Sequence, residues 1–70
     1  MNVPVRNYLT EKVTQCELMY KVENLGEEID DEDFEGVKGA LIMYHGAPMY
    51  VQEEEGKPDQ YVFIDGALSA

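Results

Sequence analysis

Short apolar runs bounded by turn residues recur in the C-terminal half of this chain and predict an antiparallel meander. Residues 40–44 are apolar and rich in strand-forming side chains. A tight turn follows, with Gly46 expected to take a positive φ at its first central position. Residues 49–53 form a second predicted strand, residues 55–59 a turn cluster and residues 60–65 a third strand. We therefore expect two consecutive hairpins.

Residues 13–22 fit two patterns. Considered as a strand, every second residue from Cys16 to Val22 is apolar, and only Met19 interrupts the alternation. Considered as a helix, apolar residues recur at helical spacing from Leu9, with Thr10 as a plausible N-cap. The strand is preferred because Val, Thr, Cys and Tyr are strand formers, and the helix stays open as the alternative.

The segment between these two regions carries most of the charge. Residues 23–35 contain eight acids and no base. A short helix is expected in or after this segment, with Asp30 or Asp31 as its N-cap, because acids in the first turn complement the helix dipole. The predicted fold is therefore α+β, a small antiparallel sheet of three to four strands with one short helix. We expect one small domain over residues 1–70.

Size and charge exclude several classes of function. The chain has 70 residues, a formal net charge of −10 and 44% hydrophobic residues. The hydrophobic content argues against full disorder. A domain of this size buries only about 60% of the surface of its unfolded chain, which leaves little room for an active-site cleft. The negative charge repels nucleic acid and anionic membranes, so we expect neither as a direct ligand, and it favours a basic partner, a cation or simply solubility.

Candidate catalytic and metal-binding groups are few. His45 is the only histidine and falls in a predicted turn, and Cys16 is the only cysteine and falls on an apolar face. Residues 31–36 match the first half of an EF-hand calcium loop, but Ile42 stands at the twelfth position, where a bidentate Glu is needed. We therefore predict no enzymatic activity, no catalytic residue, no cofactor and no metal site.

Targeting signals are also missing from the sequence pattern. Residues 1–10 show no signal-peptide pattern. No apolar run approaches the roughly 20 residues that span a bilayer. A cytoplasmic location is expected, which is the host cell cytoplasm if the protein is encoded by a phage.

The clustered carboxylates are the candidate partner-binding groups. Carboxylates at i and i+3 or i+4 on a helix lie about 5–6 Å apart between Cβ atoms, a separation of the order of neighbouring phosphates along a nucleic-acid strand. A rigid acidic surface would occupy the phosphate subsites of a DNA-binding protein. The alternative is a solvated loop that only keeps the protein soluble. The predicted partner-binding residues are Glu27, Glu28, Asp30, Asp31, Glu32, Asp33, Glu35, Glu53, Glu54 and Glu55.

In size, charge and clustered acids, at residues 23–35 and again at residues 53–55, the chain resembles the small acidic proteins that phages encode as DNA mimics. Within that class it is most similar to inhibitors of the bacterial nucleoid protein HU, and it shows no alignable similarity to uracil-DNA glycosylase inhibitors. The resemblance implies a non-enzymatic, often dimeric protein that occupies a basic DNA-binding groove and excludes DNA. It rests on no motif and carries over no functional residue.

A second hypothesis places binding on an apolar sheet face. The chain has five tyrosines, side chains that are favoured at protein interfaces, and apolar surface is added by Met19, Met43 and Met49. The protein would then inhibit or adapt a host protein through this face, with the acids providing solubility only. Apolar area that a small core cannot hide also predicts a homodimer.

Overall fold

Five strands follow one another along the chain and close into a barrel. The computed structural model describes residues 1–65. The strands are β1 (Asn2–Arg6), β2 (Val13–Val22), β3 (Gly39–Tyr44), β4 (Ala47–Glu53) and β5 (Tyr61–Phe63). Each strand pairs antiparallel with the next, and β5 returns to pair with β1. This closing pair is parallel because the first and fifth strands of a meander run in the same direction.

The closed barrel shows that the predicted α+β sheet of three to four strands is wrong. No strand was predicted at residues 2–6, where the structure has β1, and β5 is shorter than the predicted strand at residues 60–65. Closure depends on the pairs Val5–Tyr61 and Arg6–Val62, which join the two ends of the described chain. A pairing between residues so far apart in the chain leaves no local pattern of apolar residues, so the closure of the sheet was not predicted from the sequence.

The ambiguous segment is a strand, as preferred from its residue types. Residues 13–17 of β2 pair with β1, and residues 17–22 pair with β3. The register with β3 shifts between Leu18 and Tyr20, which leaves Met19 as the extra residue of a β-bulge. The bulge explains why Met19 interrupts the alternation, and it bends the long strand so that it serves two neighbours.

The first predicted hairpin is confirmed, with a correction at its turn. Tyr44 pairs with Ala47 and leaves a two-residue turn. His45 has φ 51° and Gly46 has φ 79°, so both central residues are left-handed. This is the pattern of a type I′ turn, in which Gly46 occupies the second central position and not the first.

The barrel interior holds a single apolar cluster. Tyr44, half-buried, packs its ring edge-to-face on Phe63 at 5.0 Å between centroids. Cys16 is buried as expected, and its burial raises the pKa of the thiol. The buried residues of the cluster are Val3, Val5, Cys16, Ala40, Ile42, Val51, Tyr61 and Phe63.

The helical residues lie between β2 and β3. Helix α1 (Leu25–Ile29) is followed by a 3₁₀ turn (Glu32–Phe34). The helix begins after Asn24, so the prediction that Asp30 or Asp31 is its N-cap is wrong. Asp30 instead ends α1 in a left-handed conformation, and Asp31 caps the 3₁₀ turn. Neither helical segment within residues 1–65 is long and apolar enough to cross a membrane.

A small second contact seats α1 on the outside of the barrel. Val22 and Leu25 are buried, yet neither belongs to the interior cluster. Gly39 at the start of β3 pairs with Val22 at the end of β2. A Cβ added to Gly39 would lie 2.9 Å from Cδ1 of Leu25. Because Gly39 has no side chain, Leu25 packs directly on the backbone of β3.

We expect Gly39→Ala to destabilise the fold, because the new methyl group meets both Leu25 and the carbonyl oxygen of Val51. The free energy of unfolding falls by about 2–3 kcal/mol, as for other overpacked sites. This lowers the thermal midpoint by about 10 °C or more, measured by circular dichroism. Gly36→Ala is the control: no atom lies within 4 Å of its added Cβ, so only its positive φ opposes the change, at about 1 kcal/mol. Equal midpoints for the two variants would contradict this packing.

Candidate functional site

The segment from residue 24 to residue 37, called the acidic loop below, leaves and rejoins the barrel at one place. The Leu25 N–H donates to the carbonyl oxygen of Val37 at 2.7 Å and so closes the base of the loop. The Leu25 side chain is completely buried beneath it. The loop is therefore anchored by one apolar side chain and one main-chain hydrogen bond at the same point.

The side chain of Asn24 joins the two ends of the acidic loop. Its Oδ1 accepts hydrogen bonds from the amides of Gly26 at 3.2 Å and Gly36 at 2.8 Å. Its Nδ2 donates to Oε1 of Glu35 at 2.8 Å. One carboxamide thus caps α1. It also holds the far end of the loop at Gly36, which lies ten residues after Gly26 in the chain.

Main-chain packing makes the interior of the loop tight. A Cβ added to Gly26 would lie 2.7 Å from the nitrogen of Glu35. The Gly26 carbonyl accepts the amide of Asp31 at 3.1 Å, so α1 passes directly into the 3₁₀ turn. These backbone contacts fix the positions of the acidic residues relative to one another.

The predicted acids of the loop lie mostly at the surface of the protein. All are exposed except Asp31, which is half-buried. The ion pairs found in residues 1–65 are Arg6–Glu11, Arg6–Glu54 and Lys21–Asp59, and none involves the acidic loop. The loop therefore presents the carboxylates of Glu27, Glu28, Asp30, Asp31, Glu32, Asp33 and Glu35 without a paired base in the described part of the chain.

The second predicted cluster lies beside the end of the acidic loop. The Glu53 N–H donates to the carbonyl oxygen of Lys38 at 2.9 Å. A groove of about 380 Å³ separates this end of β4 from the loop. Its lining residues are Gly36, Val37, Lys38, Gln52, Glu53, Glu55 and Gly56.

Glu54 is engaged differently from its two neighbours. Its Oε1 accepts a hydrogen bond from Nε of Arg6 at 2.9 Å. The same oxygen forms an ion pair with Nη2 of Arg6 at 2.7 Å. The hydrogen bond raises the pKa of the Arg6 guanidinium. The structure thus places Glu53 and Glu55 on the groove, whereas Glu54 joins the end of β4 to β1.

Tyr50 contacts the loop from the barrel wall, and Tyr20 lies beside it. The Tyr50 hydroxyl on β4 donates to Oε2 of Glu28 at 3.1 Å and lies 3.4 Å from the Tyr20 hydroxyl on β2. Hydrogen bonding to Tyr20 and Glu28 raises the pKa of Tyr50 well above its usual range. Glu28 is therefore held by the barrel, which fixes the side of α1 that faces β4.

The positioning roles of Asn24 and Tyr50 were not predicted from the sequence. Asn before a short helical segment is an N-cap signal, but the N-cap was expected at Asp30 or Asp31. Nothing in the sequence indicated Tyr50, because its contact with Glu28 joins two distant elements.

The other chemistry-bearing residues form no cluster. Within residues 1–65, no three His, Cys, Asp or Glu side chains are placed to hold a metal ion. The segment that matches half of a calcium loop contains the 3₁₀ turn. His45 is exposed in the β3–β4 turn and packs against the ring of Tyr44 at 4.1 Å between centroids.

Comparison with protein-family models, curated proteins and solved structures finds no match to this chain. The acidic surface is therefore interpreted from its own geometry and charge.

Replacing Asn24 tests whether its side chain holds the loop. Asn24→Ala removes the hydrogen bonds to Gly26, Gly36 and Glu35. We expect the amides of Gly26 and Gly36 to exchange with solvent about tenfold faster, a change of the size of a lost helix cap. Hydrogen exchange followed by NMR measures this, with the amides of the barrel strands as the internal reference.

Asn24→Asp is the matched variant. It keeps the acceptor oxygen but loses the donor and places a second carboxylate beside Glu35. We expect its exchange rates to fall between those of the native protein and Asn24→Ala. Native exchange rates in Asn24→Ala would show that the side chain does not hold the loop.

Proposed function

We propose that this protein is a DNA mimic that binds the basic DNA-binding surface of a host DNA-binding protein and blocks DNA there. A nucleoid protein of the HU type is the favoured partner. The observation that carries the proposal is the acidic loop, whose exposed carboxylates have no paired base within residues 1–65 while its backbone is anchored to the barrel. In this proposal the loop stands in for a row of phosphates.

Anchoring matters for the affinity of such a mimic. A loop that orders only on binding loses about 1–2 kcal/mol of backbone conformational entropy for each residue that becomes fixed. The contacts of Asn24, Gly26 and Leu25 fix much of the acidic loop in the free protein. Less of the binding free energy is then lost to ordering.

Uncompensated charge supplies the attraction. A protein that binds DNA neutralises phosphates with Lys and Arg and releases their counterions. Carboxylates with no base beside them interact with the same cationic surface, and the net charge of −10 accelerates the encounter with a basic partner. The proposal involves no catalysis, cofactor or direct contact with nucleic acid, and it places the protein in the cytoplasm with its partner.

The exposed apolar residues of β2 favour the second candidate function. Met19 and Tyr20 keep 50% and 48% of their surface exposed. In this alternative, a host protein is bound and inhibited through the sheet face that carries them, and the acidic loop provides solubility. The homodimer expected from the sequence stays a prediction beside both candidates.

Competition with DNA tests the proposal directly. HU is bound to a fluorescent DNA duplex and titrated with this protein, and displacement is followed by fluorescence anisotropy. We expect displacement that weakens about tenfold or more between roughly 50 and 200 mM salt, since the contacts are ionic. Absence of displacement at either salt concentration would exclude HU as the partner.

A charge variant of the loop identifies the binding surface. We expect Asp30→Asn/Asp31→Asn/Glu32→Gln/Asp33→Asn to weaken displacement by about tenfold or more. Asn accepts the left-handed conformation of Asp30 and the capping role of Asp31, so the fold is retained. Retained full affinity would contradict the DNA mimic and support the sheet-face alternative.

The control variant has the same net charge as the loop variant, but its changes lie on the β1–β2 hairpin. Glu11→Gln/Gln15→Lys/Glu17→Lys changes the net charge from −10 to −6, as the loop variant does. All three residues are exposed. We expect displacement within about threefold of the native protein. Equal losses in both variants would show that net charge alone, and not the acidic loop, determines binding.

A further inference from the structure

We propose that the groove between the acidic loop and the β4–β5 turn is a subsite for one arginine side chain of the basic partner. This inference rests on the proposed function and assigns it a specific point of recognition. The groove lies where the two predicted acidic clusters meet, because the Glu53 amide is bonded to the Lys38 carbonyl at the end of the loop.

The size of the groove suits a single side chain. Its volume of about 380 Å³ falls near the lower end of the range of about 300–1,000 Å³ found for small-ligand pockets. Gly36 and Gly56 border it, and no atom lies within 4 Å of a Cβ added to either residue. The rim is therefore open on both sides, and a side chain from a partner enters without displacing the chain.

The lining matches the two parts of an arginine side chain. Val37 is half-buried and offers apolar surface to the aliphatic stem. Glu53 and Glu55, which both line the groove, offer carboxylate oxygens to the head group. A guanidinium carries five N–H donors in a planar fork and engages several such oxygens together, whereas an ammonium acts as a point charge.

The charge of the lining favours a cationic ligand. Two carboxylates line the groove, and Lys38 is the one base among its lining residues. Lys38 is exposed and has no ion-pair partner within residues 1–65, so its flexible side chain can move into solvent when a cation enters. The carboxylates of Glu53 and Glu55 likewise have no ion pair in this part of the chain.

Titration with arginine amide tests the subsite without a partner protein. The ¹⁵N-labelled chain is titrated at constant ionic strength, and amide shifts are followed by NMR. We expect saturable shifts at Gly36, Lys38 and Gly56, which line the groove. Citrulline amide, whose ureido side chain has nearly the same shape as that of arginine but no charge, should cause none of these shifts. Equal shifts with citrulline amide, or shifts spread evenly over the acidic loop, would overturn the proposal.

A matched pair of variants locates the binding groups. We expect Glu53→Gln/Glu55→Gln to weaken arginine amide binding by about tenfold, the size of a lost charged hydrogen bond. Glu27→Gln/Glu32→Gln changes the net charge equally at exposed loop positions outside the groove lining. This control should bind within about twofold of the native protein. Equal weakening in the two variants would overturn the subsite, and the NMR spectra themselves show that each variant is folded.

The two proposals fail independently. Arginine amide binding without displacement of DNA from HU would support the subsite and reject HU as the partner. Displacement without local arginine amide shifts would support the DNA mimic and overturn the subsite.

Discussion

The parallel pairing of β1 with β5 is the constraint on which the rest of the structure depends. Two residue pairs, Val5–Tyr61 and Arg6–Val62, close the meander into a barrel. The ion pair between Arg6 and Glu54 joins the end of β4 to the same strand. Closure removes the free sheet edges. It also encloses inward-facing side chains from all five strands in one interior, and so short a chain obtains its core in this way.

The closed barrel provides the rigid wall that an acidic loop needs. A run of like charges opposes compaction, so the loop requires contacts that do not depend on charge. Those contacts are the buried Leu25 over Gly39, the main-chain bonds at its base and the carboxamide of Asn24. None of these contacts pairs a loop carboxylate with a base in residues 1–65, and the proposed function uses this division between an uncharged base and a charged surface.

Local signals identified several elements correctly, and the errors have a common cause. The β3–β4 hairpin and the strand at residues 13–22 follow from side-chain type and turn chemistry, which act over a few residues. The start of α1 was misplaced because Asp30 and Asp31 were expected to cap it, whereas Asn24 does so with support from Gly36, far along the chain. The positions of both acidic clusters were evident in the sequence, and Glu53, Glu54 and Glu55 were expected to extend the charged surface, but the groove beside Glu53 and Glu55 was not predicted.

The sequence by itself determined the strand-forming segments of the central hairpin, the buried cysteine and the concentration of carboxylates in residues 23–35. These properties depend on the chemistry of neighbouring residues. Only the tertiary structure decided that the sheet closes, that Glu53 and Glu55 share a groove with the acidic loop, and that Glu54 is engaged by Arg6. Each of these depends on contacts between residues far apart in the chain, whose formation requires the whole barrel to be in place.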